Sequence, residues 1–350
     1  MSTLTFKQVK ERIEVDSLGK ADYITPINNL CMDNDGKIIF KDLLKIKGST
    51  PIDISLRPTD WANGQIFSKL KMPTRYFKKL SIASPELTAQ HFNYWAEKEG
   101  NYPVMLRTKI NGDSGVIRGF VSEKFSRLDN NTMIDSLEEI LKKKKGSYRI
   151  QDFFMDEKRV HLRLVCFDGT KTFTLAGMTA SGEEDYLQVG LDIVNSEVGA
   201  SSLNIVPVVF RLVCSNGLRR WSADGDVFNQ RHIYLKENEF QDKMEIAMAD
   251  GIKIGQGLLK QHIALKSIEV ENPLDVIGEI AKAGEFSKEF HRAMVYEFEY
   301  DNTAYGIVNA VTAAAKRLPD ERRLEAEKYA GKLVSLPLSG WEAFEGSIPV

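Results

Sequence analysis

Cysteine is scarce in this chain of 350 residues, where Cys31, Cys166 and Cys214 are the only three. An odd and sparse set gives no disulfide framework. Cys166 and Cys214 sit inside apolar runs, where a buried thiol is expected. Histidine is nearly as rare. His91, His161, His232, His262 and His291 are scattered, none three or four residues from another, and no C-x-x-C occurs. The familiar metal-site spacings are therefore absent, and neither a metal nor a cofactor is expected. There is no G-x-x-x-x-G-K-[ST] phosphate loop and no G-x-S-x-G elbow. That removes the ordinary ATPases and the nucleophile turn of the α/β hydrolases. With no catalytic motif, the protein is not expected to be an enzyme. No apolar run approaches the roughly 20 residues of a membrane helix, and residues 1–13 lack the apolar stretch of a secretory signal. No membrane contact is expected, and the cytoplasm is the expected compartment. A surplus of either charge is missing too, with 47 Lys and Arg against 49 Asp and Glu, a formal net charge of -2. Any attraction for nucleic acid must then come from local patches.

What remains is a globular composition, 43% hydrophobic and 27% charged. The first sixty residues read as irregular, with one short apolar run from Lys37 to Lys45 after Asp33-Asn34-Asp35-Gly36. Thr59-Asp60-Trp61 opens a helix capped by Thr59. Pro85 to Glu99 forms another, with Leu87, His91 and Trp95 on one face. Strands dominate the middle. Val104 to Thr108 and Val116 to Val121 flank Asn111-Gly112-Asp113, a hairpin signal. After a helix from Thr132 to Lys145, Tyr148 to Met155 and Val160 to Phe167 make a second hairpin around Asp156-Glu157-Lys158. His161, Arg163 and Val165 share one face of its second strand, and Val160, Leu162 and Leu164 the other. Tyr186 to Asn195 and Leu203 to Cys214 are two longer strands. A helix runs from Glu237 to about Leu265, and it contains Gly251, Gly255 and Gly257 without phosphate-loop spacing. Further helices follow: Asn272-Pro273 to about Ala283, the Phe286-Phe290-Met294 stretch, Thr303 to Leu318, and Asp320 to Val334. Strands followed by helices argue an α+β fold: an antiparallel β-sheet in the middle of the chain packed by helices, with a helical C-terminal third. The expected organisation is an irregular segment 1–60, a core domain 61–335 and a tail 336–350.

Three basic clusters carry the interest. The first is Lys69, Lys71, Arg75, Lys78 and Lys79, interleaved with Tyr76 and Phe77. The second is Lys142, Lys143, Lys144 and Lys145, followed by Tyr148 and Arg149. The third is Arg211, Arg219, Arg220, Trp221, Arg231 and His232. Cations neutralise phosphates and aromatic rings stack on unpaired bases. Taken singly, each cluster also fits a solvated face or a helix end. The lysine run suits a helix C-terminus, and Trp221 suits a core. Asn195 to Gly199 and Ser215-Asn216-Gly217 fit anion-binding nests, or tight turns with Gly199 and Gly217 at φ > 0.

The segment Arg118-Gly119-Phe120-Val121-Ser122-Glu123-Lys124-Phe125-Ser126-Arg127-Leu128-Asp129-Asn130 resembles the "R-A-x-L-S-x-R-Y-x-x-x-D-N" stretch of a phage- and plasmid-encoded family catalogued as a domain of unknown function (number 932). The likeness takes in Met72-Pro73, Leu106-Arg107-Thr108, Gly190-Leu191, Asn195 to Gly199, Phe210 to Leu218, Arg231-His232, and Thr303 to Thr312, which is similar to "Y-G-x-x-N-A-x-T". It spans roughly residues 65 to 335. Gly119 and Phe125 stand where the family usually shows alanine and tyrosine. The resemblance implies a mobile-element origin and supplies no catalytic residue.

The leading expectation is a phage-encoded protein that binds single-stranded DNA and anneals it during recombination or replication, acting as a homo-oligomer. Phages commonly encode such a factor, and the order strand, strand, strand, long helix from Val160 to Leu265 is similar to the core of single-strand annealing recombinases. The alternative is a phage protein that binds and inhibits or remodels a host defence protein without touching nucleic acid. An enzyme acting on nucleic acid ranks third.

Overall fold

The computed structural model describes residues 4–50, 53–143, 147–167, 173–179, 182–211, 216–219, 228–230 and 237–346. The first helix, α1 (Phe6–Ser17), begins on a capping box. Gln8 N donates to Thr5 Oγ1 and Thr5 N donates to Gln8 Oε1. Five short strands follow: β1 (Lys20–Pro26), β2 (Leu30–Met32), β3 (Ile38–Phe40), β4 (Lys47–Gly48) and β5 (Leu56–Pro58). After them come α2 (Asp60–Lys69), α3 (Thr74–Ala83), α4 (Pro85–Glu99), β6 (Pro103–Asn111) and β7 (Ser114–Ser122). These strands make one sheet in the order β2-β3-β5-β7-β6-β1-β4, antiparallel except for β5 beside β7. Phe67 of α2 and Phe92 of α4 share its core with Leu106 and Phe120.

The second sheet follows α5 (Asn130–Lys143). Its strands are β8 (Ser147–Met155), β9 (Val160–Phe167), β10 (Phe173–Met178), β11 (Glu184–Asn195), β12 (Leu203–Arg211), β13 (Asn216–Arg219) and β14 (Phe228–Gln230). The spatial order is β13-β12-β11-β9-β8, all antiparallel. β10 and β14 are short additions, β10 on β11 beyond the end of β9, and β14 on β12. The long α6 (Glu237–Ala264) packs on β11 and β12. Two glycines permit this approach. A Cβ on Gly251 would stand 2.7 Å from Leu191 Cδ2, and one on Gly255 would stand 2.5 Å from Val189 Cγ1. The glycine-rich stretch of α6 is thus a packing face. α7 (Pro273–Ala283), α8 (Lys288–Glu297), α9 (Ala304–Ala315), α10 (Asp320–Val334) and α11 (Leu338–Gly346) complete the chain. Every residue of α9 is buried, which its run of small and apolar side chains allows.

The fold is α+β, with an antiparallel sheet in the middle and helices after it. Two expected boundaries are corrected. The first sixty residues are not irregular: β1 lies between β6 and β4, and α1 packs on α5. The stretch 338–346 is a helix rather than a tail: α11 places Trp341 in the core formed by the C-terminal helices. The face assigned to α4 is also inverted. Its buried side is Thr88, Ala89, Phe92 and Ala96, while Leu87 and Trp95 are exposed. Asn216 and Gly217 belong to β13 rather than to a turn. Among the described residues no helix is long and apolar enough to cross a membrane.

Candidate functional site

Glu197 follows β11 and is buried where the two sheets meet. Its Oε2 accepts from Lys20 Nζ of β1 at 2.7 Å and from Arg118 Nη1 of β7 at 2.8 Å. Its Oε1 accepts from the Asn130 amide at the start of α5 at 2.9 Å. Arg107 of β6 donates from Nη1 to the Glu197 carbonyl at 2.7 Å, from Nε to Asp22 Oδ1 at 3.0 Å, and from Nη2 to Asp129. Burial alone would raise the Glu197 pKa, but Lys20, Arg118 and the Asn130 amide outweigh it and hold the carboxyl at about 2. Asn195 closes the set by donating to Leu128 O and Asn130 Oδ1. One carboxylate thus pins three elements of the first half to the end of β11. Such a network is costly to desolvate and costly to break.

The backbone past Glu197 forms the wall of a cleft. Val198 O accepts from Gln65 Nε2 at 2.7 Å and from Trp61 Nε1 at 3.1 Å, both on α2. Gly199 follows at φ +74°, the left-handed conformation expected for it. The cleft has a volume of about 910 Å³. It is lined by Trp61, Gly64, Gln65, Ser68 and Lys69 of α2, Thr74 and Lys78 of α3, Phe120, Val121, Ser122 and Phe125, and Gly199, Ser201 and Ser202. No carboxylate lines it, although acids outnumber bases in the whole chain. Lys69 makes no ion pair among the described residues, and its Nζ donates to Tyr102 Oη at 3.3 Å. Lys78 meets the well-exposed Asp60 at 2.9 Å, a surface pair of little energetic weight. Ser201 Oγ is shielded from solvent and has no hydrogen-bond partner.

A second polar cluster lies at the far end of β11 and β12. Asp185 accepts from Arg211 Nε at 2.9 Å and from Tyr305 Oη at 2.7 Å. Arg211 Nη2 also donates to Glu299 at 2.9 Å. His262 packs against the Tyr305 ring, and both of its nitrogens are buried without a hydrogen bond. Burial first, then the nearby Arg211, pushes its pKa down to about 3. A third cluster joins β9 to α10: Glu327 accepts from Arg163 Nη1 at 3.0 Å and from Arg323 Nε at 3.0 Å. Here Arg163 stands on the face opposite Leu162 and Leu164, as the alternation requires.

The structure separates the basic clusters. Arg75, Lys78 and Lys79 lie on α3, with Lys78 in the cleft and Arg75 and Lys79 exposed. Lys142 and Lys143 lie at the end of α5, which packs on α1 and α6 rather than on α3. Arg211 is not a surface cation. It is buried, and its guanidinium is engaged by Asp185 and Glu299. Arg220, Trp221, Arg231, His232, Lys144 and Lys145 lie outside the described residues, as do the side chains of Arg219, Cys166 and Cys214. Trp61, Phe125 and the Ser201-Ser202 pair were missed by reading runs of charge. Only the fold brings them beside Lys69 and Lys78. Among the described residues no group of three or more His, Cys, Asp or Glu side chains could hold a metal ion.

The family described as a domain of unknown function (DUF932) matches residues 118–330, more than half of the chain. The match contains Phe120, Phe125 and the Gly199 loop of the cleft, but not α2 or α3. No curated protein and no solved structure matches the chain.

Proposed function

The chain belongs to the DUF932 family, and from that premise we propose that it binds single-stranded DNA, with the cleft between α2, α3 and the Gly199 loop as the seat of a nucleotide. The observation that carries this reading is the set of residues around the cleft: Lys69 and Lys78, the hydroxyl-bearing Ser68, Thr74, Ser122 and Ser202, the aromatic Trp61 and Phe125, and no Asp or Glu. An anion with a flat apolar portion satisfies all of these groups together. Lys69 and Lys78 take the phosphate, the hydroxyls take sugar and base edges, and Trp61 and Phe125 flank the base. Duplex DNA keeps its bases stacked inside and offers no such ring to the cleft. Arg75 and Lys79, exposed on α3, extend the field for the backbone. In this reading the protein is a phage-type factor for strand annealing in recombination or replication. The neighbouring strands β9, β11 and β12 with α6 across β11 and β12 are in keeping with it, as an analogy of fold.

The test is fluorescence anisotropy of a labelled single-stranded oligonucleotide at two salt concentrations, with a duplex as competitor, followed by a strand-annealing assay. Salt-sensitive binding that a duplex fails to displace supports the reading. No binding at low salt ends it, and the host-protein alternative then takes its place.

A further inference from the structure

Resting on the cleft reading, we infer that the bound strand leaves the cleft over α3 and continues along an aromatic ridge formed by α3 and α4. The ridge is unusual for a soluble surface. Tyr76 is 57% exposed, Tyr94 57% and Trp95 41%. Isolated exposed rings need no explanation, but three on two helices that pack together call for one. These rings pack on other rings. Tyr76 stands edge-on to the buried Phe77 at 5.3 Å, Phe77 stands edge-on to His91 at 5.3 Å, and Tyr94 stands edge-on to Trp95 at 5.2 Å. A fixed ring loses little entropy when a base stacks on it.

Charge selects the occupant. On α3, Thr74 and Lys78 turn to the cleft, and Arg75 and Lys79 lie beside Tyr76 with no ion pair among the described residues. Lys98 sits 5.6 Å from the centre of the Tyr94 ring. Cations interleaved with rings fit a phosphate backbone carrying unpaired bases. α3 thus carries Thr74 and Lys78 toward the cleft and the exposed Arg75, Tyr76 and Lys79 away from it, and it packs on α4.

The experiment compares short and long oligothymidines, of about 4 and about 16 nucleotides, on the full chain and on the double variant Tyr94→Ala/Trp95→Ala. These side chains are exposed, so the fold should tolerate their loss, and circular dichroism checks it. The expected result is an affinity for the long strand lowered roughly tenfold or more, an unchanged affinity for the short strand, and recovery in Tyr94→Phe/Trp95→Phe. Equal affinities of variant and wild type for the long strand would overturn the ridge while leaving the cleft standing. Should those equal affinities come with an altered sedimentation coefficient, the ridge is a protein interface instead. Failure of the wild type to bind either length would remove the cleft reading, and the ridge with it.

Discussion

Glu197 and Asp185 are both buried carboxylates gripped by cations, yet they sit in different company. Around Glu197 the charges pair, with Arg118 Nη2 left as a buried donor without an acceptor, and just beyond it lies a cleft lined by two lysines and no carboxylate. Around Asp185 the charges also pair, but helices enclose the cluster and His262 is left with two unsatisfied nitrogens. Paired buried charge in this molecule fixes the joints between elements. Beside the open cleft, by contrast, Lys69 makes no ion pair among the described residues and Lys78 meets only the exposed Asp60.

The comparison breaks first at its strongest joint. Glu197→Ala leaves Lys20 and Arg118 without their buried acceptor and should cost about 3–5 kcal/mol in urea unfolding. A variant as stable as wild type would show that the carboxylate holds nothing. Glu327→Ala removes the two closest hydrogen bonds of the buried Arg163 while Asp192 stays 3.5 Å from it, and should cost about 3 kcal/mol.

Acid separates the two clusters. Glu197 has a folded pKa near 2 against an ordinary value of 4.5, so it contributes fully above pH 4.5 and its contribution is lost as pH falls toward 2. His262 is depressed from 6.5 to about 3, so the unfolded chain takes up a proton first. Stability should therefore fall by about 1.4 kcal/mol per pH unit below pH 6.5 from this residue alone. His262→Leu should flatten the urea midpoint between pH 6.5 and 4.5, whereas an unchanged slope would assign the acid sensitivity elsewhere. A smaller effect is expected at the cleft wall. Gly199→Ala forces a side chain into the left-handed region and should cost about 1–2 kcal/mol, read as a lowered melting temperature.

Much of the architecture was legible where the signal is local. The Thr59 cap, the Asn272-Pro273 start and the hairpin around Asp156-Glu157-Lys158 each announce an element by chemistry within a few residues. β1 was illegible because Lys20 to Pro26 shows no clean alternation, and its burial comes from β6, some eighty residues away. α11 was hidden by Gly340 and Gly346, and its burial rests on Trp341 with Phe344 beside it. The apolar stripe of α4 misled because Leu87 and Trp95 face outward while Phe92 and the small Thr88, Ala89 and Ala96 form the buried side. Of the site, the α3 lysines could be found as a charge run. Arg211 could not be told from them, since its partner Asp185 is distant in sequence and meets it only across β11 and β12. Trp61, Phe125 and Ser201 carry no charge, and they join the cleft only when the two sheets dock through Glu197.

The most direct test of the cleft is the salt dependence of single-strand binding in Lys69→Ala/Lys78→Ala beside wild type. Both side chains lie on the surface, so stability should stay within about 0.5 kcal/mol. The slope of log affinity against log salt should shrink by about 1.4, the value for two lost phosphate contacts on a single strand. An unchanged slope with unchanged affinity would contradict the account and place any DNA contact away from the cleft.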